Sequence, residues 1–193
     1  MSTKEDIIQA ATRLFAEKGY EGMTMKEIAR EVGIKPPSLY AFFKSKEDIF
    51  MHIYRGIISG HLQLAISNAE TFFNQPAKAQ LEQLLYQVIE FQFKESVEMK
   101  ILIRLMIFPP VFIADSIKEE MLRIEKKEHD LLCGIFKRAM ENGEIKQGDF
   151  VALATSMHCM MDGLFWEMQR YDESTFNERF AVIWKQFWKG VEK

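Results

Sequence analysis

The stretch VGIKPPSLYAFFKSKEDIF, residues 32–50, decides how the first part of this 193-residue chain folds. Two consecutive prolines, Pro36 and Pro37, stand directly before an aromatic run in a chain that otherwise has a helical pattern. Proline has a fixed φ and no backbone N–H, so it is tolerated in a first helical turn and pushes the preceding residue out of helical conformation. A short helix is therefore predicted to begin near Pro37.

Another short helix is predicted just before this break, over TMKEIAREVG, residues 24–33. Thr24 and Glu27 have the spacing of a capping box, and Gly33 supplies a left-handed stop. Small Ala29 suits a close approach of two helix backbones, as a helix-turn-helix requires. At about 100° per residue, the helix after the prolines has two predicted faces. The inward face holds Leu39, Phe42 and Phe43. The outward face holds Pro37 and Ala41, flanked by Ser38 and Tyr40.

A short helix presented in this way is typical of proteins that insert it into the DNA major groove. Four lysines surround it as candidate phosphate contacts, namely Lys26, Lys35, Lys44 and Lys46. The formal net charge of −3 argues against non-specific coating of nucleic acid but is compatible with a local binding face. The alternative interpretation is an ordinary helical corner whose lysines are merely solvated.

The rest of the chain is predicted to be helical, since no strand-like alternation persists. A first helix runs from Thr3 to a stop at Gly19, and a long helix begins at Ser45. Turn and breaker residues predict interruptions near 74–76, 109–110, 142–148 and 171–174. Two cysteines, no leader-like segment and no run of about 20 apolar residues favour a cytosolic protein without a membrane anchor.

Residues 24–46 resemble the N-terminal DNA-binding domain of the TetR family of bacterial regulators, and the likeness extends through residues 11–33 and 39–50. This resemblance implies an all-α protein with a three-helix helix-turn-helix domain at 1–48. It also implies a larger helical domain at 49–193 for ligand binding and dimerisation. The expected function is that of a homodimeric repressor, released from a palindromic double-stranded operator by a small effector.

The resemblance also assigns roles to individual residues. It implies that Thr24 caps its helix and touches phosphate, that Lys26 reaches a base or the backbone, and that Lys46 grips phosphate. The family's recognition-helix positions correspond to Pro36, Pro37, Ser38, Tyr40 and Ala41. Many members have a longer polar residue and a glycine where this chain has its two prolines. That departure favours apolar contact and shape readout over hydrogen-bonded base reading.

Two C-terminal helices are the expected dimer interface. Residues 149–168 are nearly apolar all round, and Gly163 in mid-helix costs about 1 kcal/mol relative to alanine. Close approach of a partner helix would explain that cost. The last helix carries an aromatic stripe for which core packing and dimerisation are equally good explanations. Its members are Phe176, Phe180, Ile183, Trp184 and Phe187.

Flexible thioethers and flat rings after residue 60 suit an adaptable apolar cavity, although the same residues could simply fill a core. We therefore expect a small hydrophobic or amphipathic effector, with Arg104 as an anchor if it is an anion. The candidate ligand residues are His61, Arg104, Met106, Phe108, Phe112, Met157, Met161 and Phe165.

Other chemistries have weaker signals. His158, Cys159 and Asp162 lie close in sequence, but neighbouring helical positions diverge and no second cluster completes a metal site. A thiol sensor at Cys133 or Cys159 stays open as an alternative, as does a regulator that needs no ligand. No nucleophile and base pattern, phosphate loop or carboxylate pair is present, so neither an enzyme nor a cofactor is expected.

Overall fold

The computed structural model describes residues 3–93 and 97–193, and this part of the chain is all helical apart from its loops. The helices are α1 Thr3–Gly22, α2 Met25–Val32, α3 Pro36–Leu39, α4 Lys46–Thr71, α5 Ala77–Phe93, α6 Val97–Ile107, α7 Ala114–Glu141, α8 Phe150–Arg170 and α9 Glu173–Val191. A 3-10 turn, Val111–Ile113, precedes α7. The described ranges contain no β-strand, only an isolated bridge between Ile145 and Glu192. The all-α prediction is confirmed.

Local capping signals place the first helix boundaries as predicted. Thr24 Oγ1 accepts a hydrogen bond from the Glu27 N–H at 3.2 Å, and Glu27 Oε2 accepts one from the Thr24 N–H at 3.1 Å. Gly33 ends α2 with a left-handed φ of 74°. Ser45 Oγ accepts from the Asp48 N–H at 3.1 Å and so caps α4. Caps of this kind contribute about 1 kcal/mol each.

Three of the four predicted interruptions fall between helices, and the fourth, 171–174, begins between α8 and α9 but includes the first two residues of α9.

The described residues form two compact units. The first comprises residues 1–60 and 95–122, and in it α1 packs on α2 and α6, while α2 packs on α3. Its core centres on Phe50, whose ring meets the rings of Phe15 at 4.8 Å and Tyr20 at 5.3 Å in edge-on geometry. This core holds the three N-terminal helices in place.

The second unit comprises residues 61–94 and 123–193, and in it α8 packs on both α5 and α9. Four large rings of α9 are buried in its core, those of Phe176, Phe180, Trp184 and Trp188. Ile183 and Phe187 are half-buried and pack against the same core. Core packing therefore explains most of the aromatic stripe.

The predicted functional boundary at residue 48 does not coincide with the boundary between the compact units. The first unit includes α6, because this helix packs on α1. That boundary stays a prediction. None of the helices in the described ranges is both long and apolar enough to cross a membrane.

Candidate nucleic-acid interface and cavity

Helix α3 begins at the double proline, one residue earlier than predicted. Lys35 precedes it in extended conformation, with φ −74° and ψ 142°, as expected for a residue before proline. Pro36 and Pro37 occupy the first helical turn, where their missing N–H groups cost nothing. Leu39 is fully buried and fixes this one-turn helix on the core.

Phe42 was predicted to face inward, and that prediction is wrong. Its side chain is 43% exposed, whereas Phe43 is 3% exposed. The helix ends at Leu39, and the N–H groups of Phe42 and Phe43 both donate to the Leu39 carbonyl. The chain turns at this point, so helical periodicity no longer sets which side chains point inward.

Most of the predicted DNA-contacting residues lie on the surface of this helix-turn-helix. Tyr40 is the largest of them and is 54% exposed. The exposed members are Thr24, Lys26, Lys35, Pro36, Pro37, Ser38, Tyr40 and Ala41. Phe42, which the sequence reasoning missed, adds a second exposed ring after Tyr40. The surface is therefore apolar at the end of α3 and carries lysines at Lys26 and Lys35.

Lys46 differs from these residues because its side chain is half-buried. Its Nζ donates to the Tyr20 carbonyl at 2.8 Å and lies 4.1 Å from the centre of the Tyr20 ring. An ammonium group has three donors, so two are left over after the bond to Tyr20. The lysine is thus held at the start of α4, and its contact with phosphate stays a prediction.

Glu27 connects α2 to α1. Lys18 Nζ donates to Glu27 Oε1 at 2.8 Å, a pair that the sequence reasoning missed. The hydrogen bond from Lys18, followed by that from Thr24, lowers the pKa of Glu27 from 4.5 to about 2. Glu27 is therefore ionised throughout the neutral range, and its charge is balanced within the domain.

The second unit contains a cavity of about 50 Å³ among α4, α5, α7 and α8. Its walls are mostly aliphatic, with two polar residues. The lining residues are Ala65, Leu84, Gln87, Glu128, Leu131, Leu132 and Met161.

The predicted ligand residues lie in several places. Met161 lines the cavity, Met157 is fully buried in the core of the second unit, and Phe165 is half-buried. Phe108 belongs to the first unit and is 75% exposed. The side chains of three predicted members lie outside the described residues, namely His61, Met106 and Phe112.

Arg104, the predicted anion anchor, lies against α1 in the first unit. A Cβ added to Gly19 would lie 2.7 Å from Arg104 Nη1, so the guanidinium group is directly over this glycine. Gly19 has a φ of 73° and a ψ of 178°, a conformation that is almost confined to glycine. Arg104 is not among the residues that line the cavity of the second unit.

The sequence reasoning missed both polar cavity residues. Glu128 lies on the apolar stripe of α7, where Ile124, Leu132 and Ile135 are buried. A charged residue at an apolar position of a helical stripe was the available signal. Gln87 shares α5 with buried Leu84, but a glutamine in a helix is too common to stand out.

The two cysteines are free thiols. Burial raises the pKa of Cys133, and the neighbouring carboxylates of Asp130 and Asp149 raise it further. A raised pKa lowers the thiolate fraction and hence the reactivity toward oxidants. Cys159 is exposed on α8. Within the described ranges, no three His, Cys, Asp or Glu residues are placed to hold a metal ion.

Comparisons with known proteins bear on the helix-turn-helix. The model of the family "Bacterial regulatory proteins, tetR family" matches residues 7–53. The biofilm operon icaADBC HTH-type negative transcriptional regulator IcaR of Staphylococcus epidermidis is 27% identical over 181 residues, which are 93% of this chain and 88% of that protein. IcaR of Staphylococcus aureus strain Newman is 51% identical over 47 residues, 24% of this chain and 25% of that protein.

Solved structures show the same fold over nearly the whole chain. A TetR transcription regulator from Haloarcula marismortui matches with a TM-score of 0.79 and 16% identity, covering 99% of this chain and 98% of that one. The transcriptional regulator FadR from Bacillus subtilis, solved in complex with stearoyl-CoA, matches with a TM-score of 0.68 and 21% identity. That match covers 95% of this chain and 96% of FadR.

Proposed function

Since the chain belongs to the TetR family of bacterial transcriptional regulators, we propose that it is a homodimeric repressor that a small ligand releases from a palindromic operator. Regulation of transcription by DNA binding is the function that the family shares. The dimer, the palindrome and the release by ligand are our proposals for this chain.

The observation that carries the proposal is the exposed surface of α3 and the turn after it. Buried Leu39 and Phe43 fix this segment on the core. Pro37, Tyr40 and Ala41 are therefore exposed on a rigid segment. Small and aromatic side chains suit contact with thymine methyl groups and with the sugar backbone. Specificity then depends on apolar contact and groove shape, since few hydrogen-bonding groups face outward here.

Lysines supply the electrostatic part of the proposed interface. Lys26 and Lys35 are exposed beside the recognition helix, and Lys46 is held at the start of α4 by Tyr20. Each lysine that neutralises a phosphate releases a counterion and makes binding steeper in salt, with a slope of about −0.9 per contact. A protein of net charge −3 thus binds DNA through a local basic rim.

Two copies are needed because one short helix buries little surface. In a dimer, two recognition helices read half-sites about 34 to 36 Å apart. We propose that α8 supplies the contact, together with α9. A Cβ at Gly163 would meet nothing within 4 Å in its own chain, and Val182 of α9 is 61% exposed. Both observations support a partner helix packing closely at this surface.

A small ligand is proposed to bind the second unit. The cavity among α4, α5, α7 and α8 has aliphatic walls, as expected for a hydrophobic or amphipathic effector. FadR, which shares the fold, was solved with stearoyl-CoA, so this architecture accommodates an amphipathic molecule. Allosteric coupling of about 1 to 3 kcal/mol between effector and operator is sufficient for release.

Selection of bound sequences from a random double-stranded DNA pool tests the proposed function. The expected result is a palindrome whose half-sites are separated by about one helical turn. Enrichment of an asymmetric site would contradict the dimeric part of the proposal. A pool without any enriched sequence would contradict the regulator itself.

The dimer is tested by Gly163→Leu, with Gly56→Leu as the matched control. Both glycines lie within long helices and have open space around a Cβ, so the isolated protomer accommodates either change. We expect Gly163→Leu to give a monomer and Gly56→Leu to leave the dimer intact, as measured by light scattering. A dimer of parental stability in Gly163→Leu would exclude this interface.

A further inference from the structure

The cavity of the second unit has acceptors on an otherwise aliphatic wall. Gln87 lines it, and Gln87 Oε1 is buried without a hydrogen-bond partner among the described residues. A buried acceptor left unsatisfied destabilises the protein without a ligand, because its lost hydration is not replaced. A bound molecule that donates a hydrogen bond at this point would offset this destabilisation.

Glu128 is the second polar residue on the wall, and its surroundings are acidic. Burial is the main cause that raises the pKa of Glu128. The imidazole of His158 opposes the shift, while the carboxylates of Asp162 and Glu125 add to it. Burial likewise raises the pKa of Asp162, again with His158 opposing and Glu125 adding. His158 thus acts on two carboxyl groups, those of Glu128 and Asp162, and its own Nδ1 is buried without a partner in the described chain.

This arrangement discriminates between ligand charges. An anion would place another negative charge beside half-buried Glu128, with the exposed carboxylates of Glu125 and Asp162 adding to the repulsion. A cation would compensate the carboxylates and so offset the cost of burying them. An ammonium group also provides up to three donors, enough for the Glu128 carboxylate and Gln87 Oε1 together.

We propose that this cavity binds a small lipophilic amine in its protonated form, with the ammonium group between Glu128 and Gln87 and the hydrocarbon part against Leu84, Leu131 and Met161. Binding of the amine is inferred from the cavity alone. That its binding regulates DNA binding rests on the proposed function. It replaces the anionic effector considered from the sequence, because Arg104 lies over Gly19 of the first unit.

The size of the cavity limits the ligand. A volume of about 50 Å³ holds about three to five water-sized groups, since each needs about 10 to 15 Å³ by the same measure. It therefore admits an ammonium group and the first carbon atoms of a chain. A longer chain requires movement of the wall, and Met161 is the most flexible apolar side chain on it.

The test uses three probes with the same tail, hexylamine, hexan-1-ol and hexanoate, titrated calorimetrically into the full chain. We expect the amine to bind most tightly and hexanoate least. Glu128→Gln keeps the size of the side chain and removes its charge. A charge-assisted hydrogen bond contributes about 1.5 to 3 kcal/mol, so the amine should bind about 10- to 100-fold more weakly to this variant.

Glu141→Gln is the matched control, since Glu141 lies on the same helix, is exposed and does not line the cavity. It should leave the three affinities within about twofold of the parent, a difference of about 0.4 kcal/mol. Equal or tighter binding of hexanoate, an amine preference that survives in Glu128→Gln, or no binding of any probe would each overturn the inference. Operator selection is independent of all three results, so failure of the amine site and failure of the regulator are distinguishable.

Discussion

Among the glycine-to-alanine replacements whose cost comes from backbone conformation, Gly19→Ala should destabilise the protein most. Gly19 combines φ 73° with ψ 178°, whereas Gly33 combines φ 74° with ψ 25°. The first combination is almost confined to glycine, while the second is the left-handed helical region that other residues enter at a moderate cost. The two glycines therefore make a matched pair.

The expected magnitudes follow from these conformations and from Arg104. Gly33→Ala should cost about 1 kcal/mol, because its added Cβ meets nothing within 4 Å. Gly19→Ala should cost about 3 kcal/mol from the backbone alone. Its Cβ would also lie 2.7 Å from Arg104 Nη1. Displacing the end of this flexible side chain adds about 1 kcal/mol.

Urea denaturation followed by circular dichroism measures these differences, with Arg104→Ala as the background that separates the two causes. In that background Gly19→Ala should still cost about 3 kcal/mol, because the backbone term is unchanged. If Gly19→Ala is no more destabilising than Gly33→Ala, the assignment of backbone strain to Gly19 is wrong. If Arg104→Ala does not reduce the cost at all, the contact between them contributes nothing.

Three further changes test the contacts of Lys46, the charge of Glu27 at the start of α2, and the hydrogen bond of Trp184 in α9. Lys46→Ala should weaken binding to all DNA sequences alike and make the negative slope of log K against log salt shallower by about 0.9. It should also destabilise the fold by about 0.5 to 1 kcal/mol, because the contact with Tyr20 is lost. An unchanged slope would exclude the phosphate contact. Glu27 has its pKa lowered to about 2, so its stabilisation is complete above pH 4.5 and is lost as the pH falls toward 2. Glu27→Gln should therefore lose less stability than the parent over that interval in acid titrations, and parallel curves would refute this. Trp184 Nε1 donates to Glu82 Oε1, so Trp184→Phe should cost about 1.5 to 3 kcal/mol in denaturant, and a loss below about 0.5 kcal/mol would contradict a contribution from that bond.

The N-terminal helices could be predicted from sequence because their ends depend on local chemistry. Thr24 with Glu27, Gly33 and the two prolines each fix a backbone conformation within a few residues, and all of these signals appear in the structure. Phe42 shows the limit of the method. Its exposure depends on where α3 ends, and a single helical turn is too short for periodicity to decide that.

The cavity could not be predicted in the same way, because residues distant in sequence build it. Ala65, Gln87, Glu128 and Met161 come from four different helices, and only the packing of those helices brings them together. Methionine and phenylalanine were the predicted signal, yet Met161 is the one described residue of these two types that lines the cavity. Polar residues on apolar stripes, such as Glu128, were the more informative signal.

The contact between the α3 surface and DNA can be tested by measuring how operator affinity depends on salt concentration. The comparison is between the parent, Lys35→Ala and the control Lys100→Ala, whose lysine is exposed on α6 outside the helix-turn-helix. We expect Lys35→Ala to make the negative slope of log K against log salt shallower by about 0.9, while Lys100→Ala keeps the parental slope. Equal slopes for the parent and Lys35→Ala, or a drop in Lys100→Ala alone, would contradict this expectation.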